Sequence, residues 1–327
     1  MVTGGDMVTG GDMGTGGDMG TEGDMEKPWR GVVVATPVFY TESGDVDLDR
    51  YAEHVRWLAA NGCHGVAPNG SLGEYQVLTR HERAAVVRAA VEAAPEGFTV
   101  MPGVGAYGAR EAREWAEQAA EAGAHAVMAL PPNAYRGDER SVLEHFREIA
   151  KAGLPVSAYN NPIDTKIDLT PALLTELYRE GLVGAVKEFT GESRRAYEIA
   201  ERVPGLDVLI GTDDSVVEVG LAGAVGWIAG FPSTFPRACV ALYEAMLAHD
   251  LATALPLYRL LHPLLRWDFH TEFVQAIKAS METVGRPGGA VRPPRQPLRP
   301  EDDEAIRGLT RAIAADPLLA PYAAVGA

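Results

Sequence analysis

The sequence predicts an α/β fold, a (β/α)8 TIM barrel followed by a helical C-terminal extension. Three observations carry this expectation. Eight short apolar runs recur between Gly31 and Gly230, amphipathic helical stretches separate them, and their starts lie 19 to 34 residues apart. Near-continuous apolar strands imply burial on both faces, as in a parallel sheet covered by helices. A doubly wound open sheet is the structural rival.

The chain opens on a six-residue repeat over residues 1–24, MVTGGD, MVTGGD, MGTGGD, MGTEGD. With so much glycine and so little apolar bulk, burial cannot offset the entropy of ordering, and residues 1–27 are expected to be disordered. The strand runs follow as Gly31–Phe39, Gly65–Pro68, Phe98–Val104, His125–Leu130, Pro155–Asn160, Val183–Glu188, Asp207–Gly211 and Gly226–Gly230. Between them the helices carry start and stop signals. Thr170 can cap a helix whose first turn holds Pro171, whose stripe is Leu173, Leu174, Leu177 and Tyr178, and which Gly181 ends. Ala112, Trp115, Ala116 and Ala119 repeat that spacing before Gly123. Residues 28–235 then make the barrel and 236–327 the extension, broken by the turn-rich stretch from Gly285 to Pro300.

The formal charge is −16, of which the first 27 residues carry −5, so the body is acidic in its own right. That argues against nucleic acid and anionic membrane surfaces, which need clustered Lys and Arg. No run of about 20 apolar residues occurs and the amino end lacks the segments of a signal peptide, so a cytoplasmic protein is expected. Cys63 and Cys239 form neither a disulfide framework nor a CxxC site, and no metal or cofactor is expected. Pro102–Gly108 resembles a phosphate loop without its lysine or its flanking context.

Lys187 stands out within the apolar run Leu182–Phe189. The chain has only five lysines among its 29 basic residues, so it normally supplies positive charge as Arg. An ammonium ending a buried strand loses hydration, its pKa falls from about 10.4, and the neutral amine can attack a carbonyl to form a Schiff base. The alternative is a strand-end lysine paired with Glu188. In a barrel, the C-terminal strand ends converge on one mouth. That places Lys187 with Tyr159 of the preceding strand, Gly230 at the end of the eighth, and the loop Asn69–Glu74 after the second. Tyr159 can shuttle protons or simply fill the core, and the Gly70, Ser71 and Leu72 turn offers amides and a hydroxyl to a carboxylate. Glu74 and Glu188 are expected to be structural hydrogen-bond acceptors.

Taken in order, GSLGE (Gly70–Glu74), YNNP (Tyr159–Pro162), VKE (Val186–Glu188) and IGTDD (Ile210–Asp214) resemble the dihydrodipicolinate synthase/N-acetylneuraminate lyase family. Gly285–Gly289 and Arg292-Pro293-Pro294 resemble its C-terminal segment, so the likeness runs from about Gly31 to Pro297. The resemblance implies a barrel, usually tetrameric, in which Lys187 forms an imine with pyruvate or a longer 2-oxo acid. It also implies Tyr159 as proton shuttle, and Ser71 with the Leu72 amide as carboxylate cradle. Three departures bear on substrate. Leu72 stands where many members have a second Thr. Leu130–Tyr135 replaces the paired tyrosines of the synthase, with Tyr135 offset. Asp164 replaces the arginine that clamps the second substrate's carboxylate, reversing the charge. The expectation is therefore a divergent Schiff-base lyase that eliminates water or ammonia from a 2-oxo acid. A pyruvate-dependent aldolase is the near alternative, and a catalytically idle 2-oxo acid binding protein the distant one.

Overall fold

The strands β1 (Gly31–Ala35), β2 (Gly65–Ala67), β3 (Thr99–Val100), β4 (Val127–Ala129), β5 (Val156–Asn160), β6 (Ala185–Glu188), β7 (Asp207–Ile210) and β8 (Gly226–Ala229) all pair in parallel. Their order is β3-β2-β1-β8-β7-β6-β5-β4. Backbone bonds from His125 to Val100, from Met128 to Pro102 and from Val104 to Met128 join the two end strands, so the sheet closes on itself as a barrel. The structure, a computed structural model, describes residues 27–133 and 135–326. The repeat of residues 1–26 lies outside the described residues. Lys27, assigned by sequence to the disordered segment, instead docks beneath the barrel, its Nζ 3.1 Å from Asp207 Oδ1. Asp207 also accepts Trp29 Nε1 at 3.0 Å in a buried contact.

All eight expected strands form, each shorter than its apolar run. The runs written through Pro37, Pro68 and Pro102 stop in the ladder before each proline, which has no N–H to donate. The chain continues from there as loops around the mouth.

The outer helices are α1 (Leu48–Ala60), α2 (Arg80–Ala93), α3 (Ala109–Glu121), α4 (Glu139–Ala150), the single turn α5 (Pro162–Thr165), α6 (Pro171–Arg179), α7 (Arg194–Arg202) and α8 (Val216–Leu221). Their local chemistry explains their ends. Thr79 and Glu82 form a reciprocal capping box on α2, Thr170 accepts the Leu173 amide on α6, and α3 buries the Ala112, Trp115, Ala116, Ala119 stripe. The next helix, α9 (Pro236–Leu247), which the sequence assigns to the extension, packs on α8 and β1 and covers the wall as an eighth outer helix would. Outside it stand α10 (Leu251–Leu265), α11 (Phe273–Thr283) and α12 (Pro300–Ala314).

A buried ion pair ties this extension to the mouth. Lys278 Nζ on α11 lies 2.9 Å from Glu74 Oε1, with side chains 2% and 0% exposed. Lys278 also donates to Ala290 O at 2.6 Å, and Glu74 Oε2 accepts the Arg292 amide at 3.1 Å. Every charge there is paired and hydrogen-bonded, the condition for burying it at all. Lys278→Met should therefore cost about 3–5 kcal/mol by stranding a buried carboxylate. The double change with Glu74→Gln should recover most of that loss, and denaturant unfolding of the wild type and the two variants checks both statements.

Candidate active site

Lys187 and Tyr159 are register partners on β6 and β5, so their side chains leave the sheet on the same face, into the barrel. Both are buried, 6% and 4% exposed, and the lysine nitrogen lies 4.2 Å from the centre of the tyrosine ring. Adjacent strand residues point to opposite faces, so Glu188 turns away from Lys187. Its carboxylate accepts Asn160 Nδ2 at 3.0 Å and the Thr190 amide at 2.8 Å. The ion pair weighed from sequence does not form. Gly211 makes room for the lysine, because a Cβ there would lie 2.3 Å from Glu188 O and 3.1 Å from Lys187 Cγ.

A cavity of about 380 Å³ opens above these two residues at the strand ends. Gly70, Ser71, Leu72, Asp164 and Gly230 line it too, so every site residue expected from sequence reaches one cavity. The Asn69–Glu74 loop is bracketed by two non-glycine residues at positive φ, Asn69 at 55° and Glu74 at 50°. Such strain collects where surrounding structure over-determines a functional loop. Here it is held by the Glu74–Lys278 pair. Among the described residues neither the Ser71 nor the Leu72 amide donates to a protein acceptor, which leaves both free for an anion. Gly230 lets the β8 end approach α11, since a Cβ would come within 2.6 Å of Ile277 Cδ1.

The electrostatics divide the site. Burial pushes the Lys187 ammonium below its ordinary pKa, and the nearby Asp268 and Asp213 carboxylates pull it partly back. Burial pushes the Tyr159 phenol well up, reinforced by Asp268 and Asp164, so it is an un-ionised O–H at neutral pH. Burial raises Asp268 to about 6 against the pull of Lys187. Burial and the charge of Asp268 also raise Asp213, which accepts Trp227 Nε1 and the Gly230 and Phe231 amides at 3.1 to 3.2 Å.

Asp164 sits at the rim, where Asn161 Nδ2 donates to its carboxylate at 2.9 Å and lies 3.4 Å from the Tyr159 hydroxyl. Tyr135 is 61% exposed and does not line the cavity. Tyr75 does, its hydroxyl accepting Asn133 Nδ2 at 3.2 Å. Sequence reasoning assigned no role to Asp213, Asn161, Asp268 or Tyr75. The first two stand in IGTDD and YNNP and were findable as polar residues just after strands. Asp268 lies in the turn between α10 and α11, where no periodicity marks it. A roomier groove of about 560 Å³ lies outside, along α2 and α3, away from all these groups.

The sequence profile described as "Dihydrodipicolinate synthetase family" matches residues 28–314. The chain belongs to this family. As a member it is an enzyme of the class I aldolase/lyase type. A 4-hydroxy-tetrahydrodipicolinate synthase of Bartonella henselae is 34% identical over 274 residues, 82% of this chain and 92% of its own. An uncharacterized DapA-like lyase of Rhizobium meliloti is 30% identical over 286 residues, 86% and 94% of the two chains. YagE, a prophage protein of Escherichia coli K12 assigned to the dihydrodipicolinic acid synthase family and crystallised with pyruvate, superposes with a TM-score of 0.82. It is 28% identical, with 88% of this chain and 99% of YagE covered. Among the described residues no helix is long and apolar enough to cross a membrane, and no cluster of His, Cys, Asp and Glu is arranged to hold a metal.

The depressed Lys187 pKa has a testable consequence. Its amine is active only when deprotonated, so covalent trapping of a carbonyl compound should rise with pH through a midpoint below that of an ordinary lysine, about 10.4. Pyruvate with borohydride should leave its adduct mass on Lys187, and Lys187→Arg should give none because guanidinium cannot form the imine. Peptide mass mapping across a pH series reads both, and an adduct elsewhere would remove Lys187 from the reading.

Proposed function

We propose that this enzyme condenses Lys187 with the ketone of a 2-oxo acid and eliminates water or ammonia from the resulting imine. The observation that carries the reading is the desolvated lysine, held against the Tyr159 ring and across the cavity from two undirected amides. The amine attacks C2, and the Tyr159 hydroxyl relays protons between nitrogen and the departing oxygen as the carbinolamine loses water. The acid's carboxylate rests on Ser71 and the Leu72 amide. The protonated imine is then an electron sink beside C3, which lowers the cost of losing a C3 proton. Pyruvate bound to YagE supports a 2-oxo acid of this kind. The enzyme is proposed to work in the cytoplasm as a homotetramer, and the exposed rings of Tyr107 and Tyr135 offer surface for neighbouring copies.

Condensation of pyruvate with aspartate semialdehyde, the synthase reaction implied by the resemblance, fits this site poorly. Leu72 supplies no hydroxyl, Tyr135 does not line the chain's own cavity, and Asp164 puts a carboxylate at the position that the resemblance gives to a clamping arginine. A rim carboxylate favours a hydroxyl or amine distal to the ketone. Each charged hydrogen bond contributes roughly 1.5–3 kcal/mol, or about 10- to 150-fold in affinity.

Three measurements check this reading. Tyr159→Phe should fold normally and lose on the order of 100-fold in turnover, and a wild-type rate would return Tyr159 to packing. A panel of 2-oxo acids should show better turnover of those bearing a distal hydroxyl or amine, with little aspartate-semialdehyde condensation. Asp164→Asn should raise KM for the preferred acid by about 10-fold or more. Efficient condensation by the wild type, or unchanged kinetics in Asp164→Asn, would defeat the specificity assignment.

A further inference from the structure

Elimination needs a base for the C3 proton and an acid for the leaving oxygen, and the roles assigned above cover neither. Tyr159 is un-ionised, a poor acceptor for a carbon-bound proton. Three aspartates act on Lys187 or Tyr159, and their surroundings separate them. Asp213 is engaged by three N–H donors and does not line the cavity. Asp164 is exposed at the rim and tied to Asn161. Asp268 lines the cavity, in the 3₁₀ turn Arg266–Phe269 that the extension lays over the β7 end. Its Oδ2 accepts one amide, that of Asp213 at 3.3 Å. Asp268, Lys187 and Tyr159 line the same cavity, and the charge of Asp268 is felt at both of the other two.

We propose that Asp268 is the catalytic carboxylate that carries the C3 proton in this elimination, a role that rests on the imine reading of Lys187. In the iminium, Asp268 takes the C3 proton. The C–H pair becomes the C2–C3 double bond of an enamine, and the C=N pair returns to nitrogen. When C4 bears a hydroxyl, the nitrogen pair re-forms C=N, the C2–C3 pair moves to C3–C4, and the C4–O bond breaks. The same carboxyl group gives its proton to the departing oxygen. Water leaves, the carboxylate is restored, and hydrolysis of the conjugated imine frees an unsaturated 2-oxo acid and Lys187, with no oxidant or reductant involved. A carboxyl raised to about 6 suits both halves of this cycle near neutral pH.

The test uses pyruvate as probe, with two readouts on the full-length protein. Borohydride trapping reports the imine, and proton NMR in deuterium oxide reports exchange of the C3 hydrogens. Asp268→Asn should keep adduct yield on Lys187 within about twofold while exchange falls on the order of 100-fold, the usual scale for a positioned proton-transfer group. Asp268→Glu should restore part of the exchange. Wild-type exchange in Asp268→Asn would overturn the proposal. So would loss of adduct and exchange together in Asp268→Asn and in Asp268→Glu, which would make Asp268 a support for the fold. No adduct with the wild type would instead overturn the imine reading itself.

Discussion

The buried Glu74–Lys278 ion pair is the tie on which the cavity depends. It joins the loop after β2, which offers the free amides, to α11 of the extension. Two charges leave water together there, and the remaining valences are met by Ala290 O and the Arg292 amide. Arg292 adds a second seam, donating to Val77 O at 3.2 Å and to Glu82 at 3.0 Å. With α11 fixed, the turn before it is fixed as well, and Asp268 and Phe269 come over the ends of β6 and β7. Phe269 stacks on Phe189 with ring centres 5.0 Å apart, and Phe189 in turn lies 5.7 Å from the lysine nitrogen. The extension therefore helps to dry the lysine and brings a carboxylate into its cavity.

Desolvation and compensation are balanced at Lys187 without cancelling. The aromatic wall and the closed barrel depress its pKa, while Asp268 and Asp213 limit the fall. A single carboxylate hydrogen-bonded to the ammonium would have held the charge on the nitrogen. Asp213 instead directs its oxygens to Trp227, Gly230 and Phe231, and Asp268 remains turned to the cavity. The same logic separates Glu188 from the chemistry. One position along the strand is enough to put it on the outer face, where Asn160 and Thr190 satisfy it.

The sequence by itself determined the strand count, the barrel and the positions of Lys187, Tyr159, the Gly70–Leu72 turn, Asp164 and Gly230 at one mouth. Those features rest on local periodicity and on the rule that parallel strands present their C-terminal ends together, and Asp164 on the family resemblance; all can be read along a chain. Strand lengths were overdrawn where apolar runs passed through proline, a ladder effect that apolarity alone does not report. Only the tertiary structure decided which way Glu188 turns, that α9 covers the barrel wall, that Tyr135 stays outside the cavity, and that Lys278 pairs with Glu74 across 204 residues. It also decided that Asp268 lines the cavity of the lysine. Such pairings come from the path of the extension over the mouth, and no spacing in the sequence encodes a contact between elements so far apart.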